Sequence, residues 1–209
     1  MSRPDRRRWR APQSVTELGH PMALWLEGEI RSWPGYAPNW GPDEETTHLV
    51  PMLAALCRSG FVTTFSQPGL ATTGVDGRWW QQRAAVEGYI ADQALYDQLL
   101  AAADAAGFIV VATNPGTLRQ QASVTVTTRD GEPVTRAGHY LDHPNLRVEW
   151  PHISPAAYRD VARAASVAII APEYGPIGER LWPALETVCR TTRAEGPHAA
   201  ALSHPAGRF

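Results

Sequence analysis

The chain has 209 residues, 44% hydrophobic and 19% charged, and a formal net charge of −2. That length and apolar content suit one domain of generous size with a sizeable core. The charge balance excludes a globally basic nucleic-acid binder. No apolar run reaches the ~18 residues of a membrane helix, and Cys57 and Cys189 alone exclude a disulfide scaffold.

Lysine is absent and Ala, Arg, Pro and Gly are abundant, as in a GC-rich bacterial coding sequence. Residues 1–13 read as a disordered basic arm, with Arg3, Arg6, Arg7, Arg8 and Arg10. No apolar segment follows them as in a secretory signal, so the cytoplasm is the expected compartment. No recognition motif accompanies the arm, so it is not expected to read nucleic acid specifically. The segment from Val15 predicts a short helix running into a strand around Ala23–Glu27. Residues 31–42, with Pro34, Gly35, Pro38, Gly41 and Pro42, have loop chemistry.

A helix is predicted from Asp43, with Thr46, Leu49, Val50, Leu53 and Leu56 as its stripe and Gly60 as its C-terminal cap. Pro51 inside it predicts a kink or a late start. Phe61–Thr64 reads as a buried strand and Ser66-Gln67-Pro68-Gly69 as a turn. A long strand is predicted over Arg78–Tyr89, a helix from Asp92 to about Ala106, and a strand over Phe108–Ala112. Val124–Thr128 and Val134–Ala137 predict a hairpin across Asp130-Gly131. Leu146–Trp150 reads as a further strand, Pro155–Ala165 as a helix capped by Ser154, Val167–Ala171 as a strand, and Gly178–Thr191 as the last helix. The order lacks the βαβ rhythm of a doubly wound sheet, which makes the expected class α+β, with mixed sheets flanked by helices. The domain is expected to span 14–193, followed by a disordered tail over 194–209 and containing no internal repeat.

Nucleotide loops of the GxGxxG and GxxxxGK[ST] types are absent. His139, Asp142 and His143 have a spacing that could ligate a metal on a helix, but Pro144 and Asn145 argue for a loop, so no metal is expected. Ser66 lacks the glycine framing of a nucleophile elbow. A more specific combination lies between Glu45 and Glu87. A helix opening at Glu45-Thr46, a strand edge with hydroxyls at Thr63-Thr64 and the tight turn from Ser66 would converge, with Trp79-Trp80-Gln81-Gln82-Arg83 a loop later. One carboxylate, two hydroxyls and backbone N–H groups suit a small zwitterionic or nucleoside ligand better than a polymer. Trp79, Trp80 and Trp182 read as core or interface aromatics, and the 79–82 strand could pack on a second copy or a protein partner.

These residues resemble the C-terminal, S-adenosylmethionine-binding regulatory domain of eukaryotic methylenetetrahydrofolate reductase. The resemblance starts at Leu24-Trp25-Leu26-Glu27-Gly28-Glu29 and passes through Glu45-Thr46. It is densest over Gly60–Pro68, continues through Trp80–Glu87, and ends at Leu181-Trp182-Pro183-Ala184-Leu185-Glu186. It implies that Glu45, Thr46, Thr63 and Ser66 contact S-adenosylmethionine or S-adenosylhomocysteine, with Thr125 and Thr135 on two further contact positions. Phe65 stands where the family has asparagine, and the chain has no room for the reductase's catalytic barrel. The expected function is therefore a stand-alone binding protein for such a ligand. The alternatives are an enzyme acting on it by methyl transfer, lysis or hydrolysis, and an interaction module without a pocket.

Overall fold

A computed structural model describes residues 1–113, 123–139, 141 and 143–194. Helices α1 (Arg3–Arg10) and α2 (Val15–Leu26) lead through a loop to a 3-10 turn at Glu44–Leu49 and to α3 (Val50–Ser59). Strands β1 (Phe61–Gln67), β2 (Leu70–Thr73) and β3 (Trp79–Ile90) follow, then α4 (Gln93–Ala105) and β4 (Ile109–Thr113). The remaining elements are β5 (Val124–Arg129), β6 (Glu132–Ala137), α5 (His143–Glu149), α6 (Pro155–Val161), β7 (Ala165–Tyr174), a 3-10 turn at Pro176–Arg180 and α7 (Leu181–Ala194). The class is α+β, as the element order implies.

All strand pairings are antiparallel, and β3 organises them. Its C-terminal half lies between β1 and β7, with β4 beyond β7. Its N-terminal half lies between β2 and β5, with β6 beyond β5. One long strand therefore holds two sets of neighbours, and its two faces bury different residues. The main core runs from Leu18 and Met22 of α2 through Leu53 and Leu56 of α3 to Phe61, Val86, Ile90 and Ile169. A smaller cluster joins Ala85, Val111, Val126, Ala137, Ala168 and Ile170.

Local chemistry explains most boundaries. Asp92 Oδ1 accepts the Leu95 N–H at 2.8 Å to start α4, and Ser154 Oγ accepts the Ala157 N–H at 3.0 Å to start α6. Gly60, at φ 107°, ends α3. Asp130 and Gly131, both at positive φ, close the β5–β6 hairpin. Pro51 falls in the first turn of α3, where its missing N–H costs nothing, so the 43–59 segment divides into a 3-10 turn and a late-starting helix.

Five expectations are corrected. Residues 1–13 are not a disordered arm: Ser2 Oγ caps α1 by accepting the Asp5 N–H, and Trp9 is fully buried with its Nε1 donating to the Ser32 carbonyl at 2.9 Å. The five arginines are solvated on the other faces of α1. No strand forms around Ala23–Glu27, because α2 continues through Pro21 to Leu26. Leu146–Trp150 is not a strand either, and the loop expected around His143 opens α5 instead. Ser66 and Gln67 do not turn the chain; they extend β1, and the break comes at Pro68-Gly69 before β2 resumes against β3. The tail expectation for 195–209 lies outside the described residues, while 181–194 is α7.

Candidate functional site

A cleft of about 290 Å³ opens where the loop after α2, the first 3-10 turn, β1, β3, β5 and β6 meet. That volume lies just below the range for small-molecule sites, roughly 300–1,000 Å³. A second hollow, between α3 and α7, is lined mainly by Leu49, Met52, Trp182 and Pro183, with none of the expected site residues.

β1 forms one wall. Its pairing with β3 slips between Thr63 and Phe65, leaving Thr64 as an extra residue. Such a bulge re-aims successive side chains, and every residue from Thr63 to Gln67 borders the cleft. Buried Gln67 locks this wall to the floor: its Nε2 donates to the carbonyls of Arg83 at 2.8 Å and Val126 at 3.0 Å, and its Oε1 accepts the Thr127 hydroxyl at 3.0 Å. Three strands are thereby fixed at one point with every amide group of Gln67 used.

Thr63 is 5% exposed, and its hydroxyl lies 3.3 Å from Cys57 Sγ on α3. Burial pushes the Cys57 thiol up to about 11, so it stays neutral and can donate to Thr63 Oγ1. Either group can be the donor in that contact, so the threonine hydroxyl can serve the cleft as donor or acceptor. Thr46 is also buried, and its hydroxyl donates to the Asp43 carbonyl at 2.8 Å, which leaves it as an acceptor. Glu45 is exposed at the rim, where its Oε2 lies 3.4 Å from Gln82 Nε2. Gln82 Oε1 is buried without a protein partner. Exchanging the amide atoms would turn an oxygen toward Glu45 Oε2, so the orphan acceptor is the consistent assignment.

The opposite wall is aromatic. Trp25 of α2 packs on Trp33 with ring centres 5.3 Å apart and on Tyr36 at 5.9 Å. Tyr36 donates to Asp43 Oδ1 at 2.7 Å, and that carboxylate, with burial, pushes the phenol up to about 12. Behind the wall, Glu149 at the end of α5 accepts the Tyr89 hydroxyl at 2.6 Å and a hydrogen bond from Thr64. Burial, with the nearby Glu87 carboxylate, holds the Glu149 carboxyl above its usual range.

Of the six site residues expected from the resemblance, Glu45, Thr46, Thr63, Ser66 and Thr135 border this cleft. Thr125 does not. Its hydroxyl accepts from Arg136 Nη1 at 3.0 Å, and the β5–β6 register slips between Thr125 and Thr127, so β5 contributes Thr127 instead. Sequence reasoning missed Trp33 and Tyr36, which sit in the Pro- and Gly-rich segment read only as loop. Their signal was aromatic density in a stretch otherwise built for turns. Among the described residues no group of three His, Cys, Asp or Glu side chains could hold a metal ion. His139 is exposed, and Asp142 lies outside the described residues. Among the same residues no helix is long and apolar enough to cross a membrane.

A family model described as "Domain of unknown function (DUF6919)" matches residues 4–192, and the chain belongs to that family. No curated protein matches it.

Proposed function

We propose that this member of the family is a stand-alone binding protein for S-adenosylmethionine, S-adenosylhomocysteine or a related nucleoside, acting as a cytoplasmic small-molecule receptor. The observation that carries the reading is the convergence of Glu45, Thr46, Thr63, Ser66 and Thr135 on one cleft. They come from the first 3-10 turn, β1 and β6, stretches brought together only by folding. The chemistry around them agrees. Glu45 can accept from a ligand ammonium or from ribose hydroxyls. Thr63 and Ser66 can donate to or accept from its polar edges, and the orphan Gln82 carbonyl can accept an N–H. The aromatic wall offers a surface for a base.

The test is the shift in melting temperature on adding adenosyl ligand to the wild type and to two variants. A ligand that binds only the folded state raises stability with the logarithm of its concentration. Thr63→Val keeps shape and β-branching and removes one hydroxyl, which should weaken binding by about 1 kcal/mol. Glu45→Gln should weaken it through loss of charge. Both variants should melt near the wild type without ligand. No shift for the wild type at millimolar ligand contradicts the reading, and equal shifts in all three proteins remove these residues from the site. Ligand recovered unchanged after prolonged incubation separates a receptor from an enzyme.

A further inference from the structure

Resting on that reading, we infer that the cleft selects a cation: its ligand carries an onium centre, such as a trivalent sulfonium, and the neutral counterpart is discriminated against. Among the described residues two carboxylates border the cleft, Asp43 and Glu45, and no Arg, Lys or His does. The nearby guanidiniums are directed elsewhere. Arg129 forms an ion pair with Asp76 at 3.6 Å and lies over the Trp80 ring at 5.5 Å, and Arg83 lies 4.2 Å over the Tyr174 ring and donates to the Pro172 carbonyl. Among the described residues the cleft lining therefore carries net negative charge.

Its aromatic lining points the same way. Trp25, Trp33 and Tyr36 occupy one wall; the Trp80 ring also borders the cleft but already carries the Arg129 guanidinium. Ring faces attract a poorly hydrated cation, and sulfonium and quaternary ammonium groups gain most because water solvates them weakly. Tyr36 does not offset this with a charge of its own or lose its hydrogen bond to Asp43 near neutral pH, since its proton is held by that carboxylate. Asp43 is thereby pinned beside the ring, so the anion and the aromatic wall are presented together. A ligand anion would meet two carboxylates and no cation there. A polyanionic nucleotide phosphate is therefore disfavoured there relative to a cation.

The experiment is calorimetric titration of the full chain with S-adenosylmethionine and S-adenosylhomocysteine, whose adenosine and amino-acid parts are the same and whose sulfur differs in charge. The inference expects the sulfonium to bind at least about tenfold more tightly, and Asp43→Asn with Glu45→Gln to bring the two affinities together. Tyr36→Leu, at a half-buried position, tests the ring contribution separately and should narrow the ratio while the protein stays folded. Equal wild-type affinities overturn the inference and leave the adenosyl reading standing. If neither ligand binds, the adenosyl reading fails, and tetramethylammonium and trimethylsulfonium become the probes. Millimolar binding of these, lost in the carboxylate variant, supports a cation site for another ligand, whereas no binding overturns it.

Discussion

Glu149 ends α5 as a half-buried carboxyl. Trp33, Tyr36 and Trp150 pack around the place where α5 ends, and a carboxyl there has Tyr89, Thr64 and the Glu87 carboxylate as its surroundings. Burial and the second carboxylate raise its pKa above the ordinary 4.5, so the folded protein holds a proton that the unfolded chain releases. Stability from this group is therefore fully present below about pH 4.5 and is lost as pH rises through the higher folded value. Glu87, also raised by burial, contributes in the same direction. Glu149→Gln keeps an acceptor for Tyr89 and removes the titration. Melting temperature between pH 4 and pH 8 should fall less steeply in this variant than in the wild type, and an unchanged slope would assign the effect elsewhere. None of this is legible in Arg147-Val148-Glu149-Trp150, because the burial of Glu149 depends on strands from distant parts of the chain. Thr63, by contrast, lies in a stretch whose strand chemistry is legible, whereas the Pro68-Gly69 signal places Ser66 in a turn that β1 in fact passes through.

The elements carry a different lesson. Strong local signals survive folding: the Asp92 and Ser154 caps, the Gly60 stop and the Asp130-Gly131 hairpin all lie where the sequence places them. Errors arise where one tertiary contact outweighs composition. Helix α1 is polar on most faces and looks dispensable, yet Trp9 is buried against the loop after α2, and Arg8 donates to the Glu29 carbonyl at 3.1 Å. Removing residues 1–12 should therefore lower the melting temperature, and Trp9→Ala should cost about 3–5 kcal/mol in denaturant unfolding. A change within error would return α1 to the status of a loose arm. Helix α2 persists through Pro21 because Leu18, Met22 and Trp25 bury its face, and Gly19 lets it sit directly on α3. A Cβ at Gly19 would lie 1.9 Å from the Cys57 carbonyl oxygen, which belongs to the backbone and cannot step aside. Gly19→Ala should destabilise by about 1–3 kcal/mol or more, despite the better helix propensity of alanine, as read by urea unfolding. The displacement would also move Cys57 away from Thr63, so ligand affinity should fall with stability.

At the scale of the whole molecule, the α+β class follows from the irregular order of elements, whereas the topology does not. No local pattern reveals that β3 serves two sets of strands or that β1 and β2 are one interrupted arm folded against it. That arrangement makes the cleft. The bulge at Thr64, the lock at Gln67 and the break at Pro68-Gly69 let a single hairpin present hydroxyls on one side while β5 and β6 complete the floor. The aromatic wall comes from a loop that propensities describe only as irregular, and its role appears once Trp33 and Tyr36 are seen against Trp25. The proposed binding function requires that this cleft, and not another surface, receive an adenosyl ligand. The most direct measurement is a crystal structure of the full chain grown with saturating S-adenosylmethionine. The account predicts ligand density between the Trp25–Trp33–Tyr36 wall and β1, with polar atoms in hydrogen-bond reach of Glu45 and of Thr63 or Ser66. Density in the hollow between α3 and α7, or an empty cleft at saturating ligand, would contradict it.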